Sequence, residues 1–180
     1  MEANQQTNAL VLAAAQAAGE GIDQQQYLTF SLKDEMFAIG ILAVREIIEY
    51  GQVTPVPMSP PFIRGVINLR GAVVPVVDLS VRFGRPANGI TKRTCIVIVD
   101  TAAGSQHLQM GVVVDAVSEV LEIPASDIEP PPEFGARIRT DFISGMGKVN
   151  GRFVVILNSD RVLSIEEVAV LASMAQAGTP

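Results

Sequence analysis

Residues 62–78 of this chain read FIRGVINLRGAVVPVVD, and 80 residues later, at 142–158, the chain reads FISGMGKVNGRFVVILN. An earlier segment recurs in the same order, because residues 44–49 (VREIIE) are matched by residues 117–122 (VSEVLE). A repeat of this length with one modest insertion predicts a duplicated structural unit.

The two copies share their apolar positions and differ in their charges. Three charged residues of the first copy are neutral in the second, where Arg64, Arg70 and Asp78 become Ser144, Asn150 and Asn158. We therefore expect the fold to depend on the shared positions and the function to depend on the charges that differ.

Glu46 and Arg70 form the most informative pair. Glu46 is kept in the second copy as Glu119, whereas Arg70 is not kept. An arginine fork can hold a carboxylate bidentately, so one reading is a polar anchor in an apolar interface. The other reading is a surface ion pair that contributes roughly 0–1 kcal/mol to stability. The sequence leaves both readings open.

Alternating apolar residues predict four hairpins, over residues 27–40, 66–79, 94–114 and 145–157. The last contains Asn150-Gly151, a strong signal for a type I′ turn. Pro75 within the second hairpin predicts an edge strand or a bulge. Residues 41–49 show helical spacing and predict a short helix, while residues 117–123, which echo them, are partly strand-like. A capping box at Ser164 predicts a C-terminal helix over residues 164–176.

These elements predict a mainly β fold. About ten short strands in a duplicated chain suggest two five-stranded barrels that share a core, since closure removes exposed edges. Residues 1–23 are expected to form a flexible arm, and residues 24–176 a single domain. The approximate halves of that domain, 24–88 and 89–162, could exchange strands.

Composition excludes several classes of function. The net charge of −6 and the aromatic content of 5% argue against nucleic acid and against anionic membranes as partners. One cysteine and one histidine exclude an internal disulfide and a Cys/His metal site, so no cofactor or metal is expected. No apolar run is long enough for a membrane helix, and a cytoplasmic location is expected.

Three other functions are compatible with parts of the sequence. The glycine spacing of residues 84–89 resembles a phosphate loop, but the lysine that such a loop needs is missing. Asp78, Asp100 and Asp115 follow apolar strands and could serve a small hydrolase, although carboxylates there more often cap turns. An RNA-binding barrel conflicts with the negative charge.

The run 62–71 followed by 74–79 resembles the signature of the CheW chemotaxis coupling proteins. Further matches run in order through residues 37–47, 111–121 and 166–171, so that the resemblance covers about 24–174. It implies two SH3-like five-stranded barrels and a role without catalysis. Such proteins are adaptors that couple chemoreceptors to the CheA histidine kinase, on the inner face of the membrane. A CheW-like adaptor of a parallel pathway, in motility, biofilm or surface sensing, is the alternative.

The resemblance also implies two sets of contact residues. The first matches family positions tied to binding of the receptor tip, with Glu46 orienting Arg70: Val44, Glu46, Arg70, Gly111, Val117 and Val120. The second matches positions tied to contact with the regulatory domain of the kinase: Ile47, Gly65, Thr94 and Ile96. Some of the second set could act through the fold, and Gly65 could be needed for its backbone freedom.

Overall fold

The structure, a computed structural model, describes residues 25–103, 106–131 and 142–163. The predicted N-terminal arm (1–23) and the predicted C-terminal helix (164–176) therefore lie outside the described residues.

Short strands make up most of the described chain. They are β1 (Gln26–Leu32), β2 (Glu35–Gly40), β3 (Val44–Glu49), β4 (Ile63–Leu69), β5 (Ala72–Asp78), β6 (Cys95–Ala103), β7 (Gln106–Val114), β8 (Ala116–Glu122), β9 (Ile128–Glu129), β10 (Ile143–Val149) and β11 (Arg152–Leu157). Two helices of one turn, α1 (Leu79–Arg82) and α2 (Ser159–Val162), each follow the second strand of a hairpin. The mainly β prediction and the predicted hairpins are confirmed.

The strands form two sheets with the same internal order. One sheet, here barrel 1, runs β3–β6–β7–β5–β4, and the other, barrel 2, runs β8–β1–β2–β11–β10–β9. In the repeat, β3, β4 and β5 correspond to β8, β10 and β11, and the hairpin β6–β7 corresponds to β1–β2. Barrel 1 therefore takes three strands from the first copy and barrel 2 takes four from the second, since it includes the short β9, and each barrel takes its central hairpin from the other copy.

Three apolar clusters fill this arrangement. One lies inside barrel 1 and includes Val74, Val76, Ile96 and Ile98. A second lies inside barrel 2 around Ile123, Val154 and Ile156. The largest lies between the sheets and draws buried residues from both: Leu28, Phe30, Leu32, Phe37, Val44, Val77, Leu79, Phe83, Val97, Val99, Val112, Phe142, Leu157, Val162 and others.

The helix predicted for residues 41–49 is wrong. Residues Ile41–Ala43 form one 3-10 turn, and β3 begins at Val44. The register of β3 against β6 shifts between Val44 and Glu46, so Arg45 is an extra residue in a β-bulge. The bulge puts Val44 and Ile47 on the same face, and this spacing of three imitates a helix. In β8 a bulge gives Val117 and Val120 the same spacing.

Both hairpin tips have the turn geometry that was predicted for Asn150-Gly151. Arg70 and Gly71 have φ angles of 51° and 88°, and Asn150 and Gly151 have φ angles of 50° and 77°. Two successive positive φ angles are the mark of a type I′ turn, which matches the twist of the flanking strands. β5 pairs with β7 only from Val76 onward, so at Pro75 it has a single neighbouring strand, β4. The N–H that proline lacks is therefore not needed for pairing with β7.

Barrel 1 closes where the chain after β3 meets β4. Thr54 and Val66 exchange two backbone hydrogen bonds, of 2.9 and 2.8 Å. The close approach requires glycine at position 65, where φ is 148° and a Cβ would clash with the carbonyl oxygen of Thr54. Barrel 2 closes in the same way through β9 and β10, and there Gly145 would clash with Ile128.

Barrel 1 contains a largely buried ion pair whose two residues are replaced by Ser144 and Asn158 in barrel 2. The Arg64 guanidinium lies 2.8 Å from the Asp78 carboxylate, whose side chain is 5% exposed. Burial acts to lower the pKa of Arg64, but hydrogen bonds and charge from Asp78 and Tyr50 outweigh it and the pKa is raised. Asp78 also caps α1 through the Val81 N–H, as Asn158 caps α2. Arg64 and Asp78 become Ser144 and Asn158 together, because a buried charge without its partner is strongly destabilising.

One arginine joins the two copies at the centre. The Arg82 guanidinium lies 4.5 Å from the ring centroid of Phe62 and 5.0 Å from that of Phe142, which are equivalent positions of the repeat. Its Nε donates to the Val162 carbonyl at the end of α2 at 2.9 Å. Arg82 therefore links both helices and both copies through cation–π contacts and a hydrogen bond.

We expect Gly65→Ala to lower the free energy of unfolding by about 3 kcal/mol, because the new methyl group would push Thr54 away from β4 and open barrel 1. Urea unfolding would measure the loss. Gly40→Ala is the matched control, since no atom lies within 4 Å of the added Cβ, and its effect should stay within about 0.5 kcal/mol. Equal stability of the two variants would contradict this account of barrel closure.

We expect Arg64→Ser to destabilise the chain by about 3 kcal/mol, because it leaves the Asp78 carboxylate buried without a cation. The double variant Arg64→Ser/Asp78→Asn, which copies the residues of barrel 2, should recover most of that loss, since asparagine caps a helix as well as aspartate does. A double-mutant cycle in urea measures both. Additive losses would show that the pair is not coupled.

Candidate binding site

Arg70 stands at the tip of the β4–β5 hairpin and reaches across to β3. Its Nη1 and Nη2 donate to the two carboxylate oxygens of Glu46, at 2.7 and 3.2 Å. The Arg70 side chain is 75% exposed and that of Glu46 is 26% exposed. The hydrogen bonds and the charge of Glu46 raise the pKa of the Arg70 guanidinium, which therefore stays charged at any physiological pH.

The backbone at Arg70 is unfavourable for arginine. Its φ of 51° lies in the left-handed region, which favours glycine and asparagine, and the second copy has asparagine at the equivalent position. A non-glycine residue there costs of order 1 kcal/mol. Strain of this kind collects at functional sites, so the retention of an arginine at the hairpin tip points to a role for its guanidinium.

The Arg70 guanidinium has N–H donors that the pair with Glu46 does not use. Arginine carries five N–H groups in a planar fork, and the bidentate pair with Glu46 uses two of them. Glu46 thus fixes the direction of the fork while the remaining donors face solvent. A partner's carbonyl or carboxylate could accept from them without breaking the pair.

An apolar seam between the barrels lies beside this pair along β3. Val44 is 2% exposed and belongs to the cluster between the sheets, and Ile47, Val117 and Val120 are half-buried against the same cluster. Val44, Val117 and Val120, which were predicted to bind the receptor, therefore lie on the same seam as Ile47, which was predicted to contact the kinase. The bulges in β3 and β8 bring them together, since without the extra residue Val44 and Ile47 would face opposite sides.

The other predicted contact residues are buried. Thr94 is 4% exposed, Ile96 is 0% exposed, and Thr94 accepts a hydrogen bond from the Thr91 N–H at 2.8 Å. A Cβ at Gly111 would lie 2.7 Å from Ile96, so a predicted receptor residue and a predicted kinase residue touch each other inside barrel 1. Gly65 closes that barrel. These four residues shape barrel 1 and present no side chain to a partner.

Barrel 2 contains a groove that no pattern in the sequence predicted. The barrel-2 groove has a volume of about 520 Å³ and is lined by residues that include Thr29, Met36, Glu119, Asn150 and Phe153. One feature of the sequence points to it: the second copy has a glutamate, Glu119, at the position of Glu46, but an asparagine, Asn150, at the position of Arg70. The groove is the equivalent, in the second copy, of the surface around Glu46 and Arg70.

The strand-end carboxylates that could have served a hydrolase have structural partners. Asp78 pairs with Arg64, and Asp100 pairs with Arg45. Asp115 accepts from the Lys33 N–H at 2.6 Å and from the Asn88 side chain at 2.8 Å. Within residues 25–103, 106–131 and 142–163, no group of three His, Cys, Asp or Glu side chains could hold a metal ion, and none of the helices could cross a membrane.

Comparison with known proteins places this site in a family. A family model described as the CheW-like domain matches residues 26–167. The chain is 36% identical to the chemotaxis protein CheW of Klebsiella aerogenes over 159 residues, which covers 88% of this chain and 93% of that protein. It is also 36% identical to the chemotaxis protein CheW of Rhizobium meliloti over 143 residues, covering 79% and 90% of the two chains.

A solved structure supports the same conclusion. The crystal structure of the scaffolding protein TtCheW from Thermoanaerobacter tengcongensis matches with a TM-score of 0.73 and 33% sequence identity, and the match covers 83% of this chain and 94% of that one. The two sheets described above are consistent with two SH3-like subdomains. The duplicated barrels, the Asn-Leu-Arg-Gly hairpin tip and these matches together show that the chain belongs to the CheW-like domain family.

Proposed function

We propose that this chain is a scaffold adaptor of bacterial chemotaxis that couples chemoreceptors to a CheA-type histidine kinase. Membership of the family supports a chemotaxis scaffold. The observation that carries the finer proposal is the strained, exposed Arg70, whose guanidinium is oriented by Glu46 beside an apolar seam. An oriented cation at the edge of an apolar surface is the arrangement of a binding hot spot.

The receptor would bind along the seam. Ile47, Val117 and Val120 are half-exposed apolar residues, so the apolar face of a receptor helix could pack on them while Arg70 anchors a polar group. Val44 and Gly111 would act indirectly, because both are buried: Val44 supports the seam from below, and Gly111 makes room for Ile96 inside barrel 1.

The regulatory domain of the kinase would contact barrel 1. Of the residues predicted for this contact, Ile47 offers partly exposed surface, and Gly65, Thr94 and Ile96 would act by keeping the barrel closed. Thr94 does so at the β3–β6 end, where its carbonyl accepts from the Tyr50 N–H at 3.3 Å.

The proposed mechanism has no bond chemistry. The adaptor would work in the cytoplasm, at the inner face of the membrane through receptor arrays, and without a cofactor. Several moderate interfaces on one small scaffold become strong when they are engaged together, so that assembly would depend on multivalency.

We expect Arg70→Asn to weaken binding of a receptor-tip fragment by about tenfold or more, since a charged hydrogen bond is lost from the interface. The fold should be unchanged or slightly more stable, because asparagine accepts the left-handed conformation and already occupies the equivalent position 150. Titration calorimetry and urea unfolding on the same samples would measure both effects.

Two further variants make this test specific. Glu46→Gln should weaken receptor binding by a smaller factor, because Arg70 would lose its orientation but keep its charge. Lys92→Ala removes a positive charge from an exposed loop and should leave binding unchanged. Normal binding by a folded Arg70→Asn variant would refute the proposed anchor.

Titration of the whole chain with the regulatory domain of the host chemotaxis kinase, and then with a receptor-tip fragment, tests the function itself. Micromolar binding to both is the expected result. Binding to neither by a folded sample would contradict the proposal and favour the adaptor of a parallel chemosensory pathway, for which other kinases and receptors of the same host are the next partners to titrate.

A further inference from the structure

The internal duplication shows a site that is complete in barrel 1 and incomplete in barrel 2. In barrel 1 the Glu46 carboxylate is held bidentately by Arg70 from the adjacent hairpin tip. In barrel 2 the equivalent carboxylate, Glu119, stands opposite a hairpin tip that carries Asn150. No described side chain forms an ion pair with Glu119.

The two carboxylates have equivalent backbone positions. Glu46 pairs with Ile98 of β6 directly after the β3 bulge. Glu119 lies at the β8 bulge opposite Thr29 of β1, where the buried Thr29 hydroxyl donates to the Glu119 carbonyl at 2.7 Å and accepts from the Glu119 N–H at 3.2 Å. The threonine therefore fixes the backbone of Glu119 as firmly as the ladder fixes that of Glu46.

The space beside Glu119 is open. The barrel-2 groove, of about 520 Å³, has Asn150 in its wall and contains Phe153, whose side chain is 51% exposed. An exposed ring beside a carboxylate suits a guanidinium, which can stack on the ring and donate to the carboxylate at once. Asp34, Glu35, Glu119 and Arg152 line the groove, and Glu35 is already paired with Arg85 at 3.0 Å. Asp34 and Glu119 together outweigh the charge of Arg152, so the groove favours a cation.

From these observations we propose that the barrel-2 groove binds an arginine side chain of a partner protein, which donates bidentately to Glu119 and takes the place that Arg70 fills within barrel 1. The residues flanking that arginine are apolar, because Met36, Leu121 and Phe153 line the same groove. Glu119 lies between Val117 and Val120 on β8, so the groove adjoins the proposed receptor surface. Asn150 and Phe153 lie on the β10–β11 hairpin, which holds none of the residues predicted for receptor binding.

The geometry selects arginine over lysine. Arg70 meets Glu46 with two nitrogen atoms at once, a planar match that an ammonium group cannot make. The hairpin tips also have the same backbone, with φ of 51° at Arg70 and 50° at Asn150. An arginine placed at position 150 should therefore reach Glu119 and fill the groove from within the chain.

The test uses the ¹⁵N-labelled full chain and the blocked dipeptide acetyl-Leu-Arg-amide as the probe. The uncharged analogue acetyl-Leu-citrulline-amide has nearly the same shape and is the control ligand. We expect amide shift changes centred on Glu119, Asn150 and Phe153, with binding of the citrulline analogue weaker by about tenfold.

Three variants complete the test. Glu119→Gln should weaken the arginine dipeptide by about tenfold, and Asn150→Arg should do the same because its own guanidinium occupies the carboxylate. Asp127→Asn, the matched control, removes an exposed carboxylate that does not line the groove and should bind as the unaltered chain does. A well-dispersed spectrum establishes that each variant is folded.

Any of four results would overturn the proposal: no shift changes at millimolar dipeptide, equal binding of the citrulline analogue, full binding by folded Glu119→Gln, or full binding by folded Asn150→Arg. Concentration-dependent shifts of the same three amides without any dipeptide, lost in Glu119→Gln, would instead identify the occupant as a second copy of this chain.

Discussion

The shared core between the sheets is the constraint on which the rest of the structure depends. Because the hairpin β1–β2 completes the barrel of the second copy and β6–β7 completes that of the first, neither barrel can form from its own copy alone. The aromatic series Phe30, Phe37, Phe83 and Phe142, with ring centroids 5.6–6.3 Å apart, runs through this core. Arg82 then joins Phe62 to Phe142 across the two copies. Unfolding of one barrel must therefore expose the core of both.

Symmetry in the core leaves the charges free to differ at the surface. A Cβ at Gly65 would meet the Thr54 carbonyl oxygen, and a Cβ at Gly145 would meet a methyl group of Ile128, while Asp78 and Asn158 cap their helices in the same way. Two of the charge differences show the rule that burial imposes. Arg64 and Asp78 are replaced together because neither can remain buried alone, whereas Arg70 can be replaced singly because it is exposed. The single replacement leaves barrel 1 with an oriented guanidinium and barrel 2 with a carboxylate, Glu119, that pairs with no side chain in the described part of the chain.

The sequence and the structure agree best where local chemistry decides. Asn150-Gly151 specifies a tight turn through its own backbone preferences, and Gly71 permits the turn after Arg70, so the hairpins could be predicted from short stretches. The segment 41–49 was misread for a physical reason. A bulge at Arg45 changes the apolar period from two to three, and a single sequence cannot distinguish that from one turn of helix. The predicted contact residues include both surface and buried positions. The spacing of residues in the sequence does not reveal that Thr94 and Ile96 are buried in barrel 1.

The sequence by itself determined the duplication, the mainly β class, the hairpins and the identity of the charges that distinguish the copies, because these follow from residue type and order. Only the tertiary structure decided which strands pair across the copies, that Arg70 meets Glu46, and that Glu119 faces an open groove. The reason is that strands distant in sequence come together through the apolar core that they bury jointly. A local residue pattern shows that a strand has an apolar face, but it does not show which distant strand packs against that face.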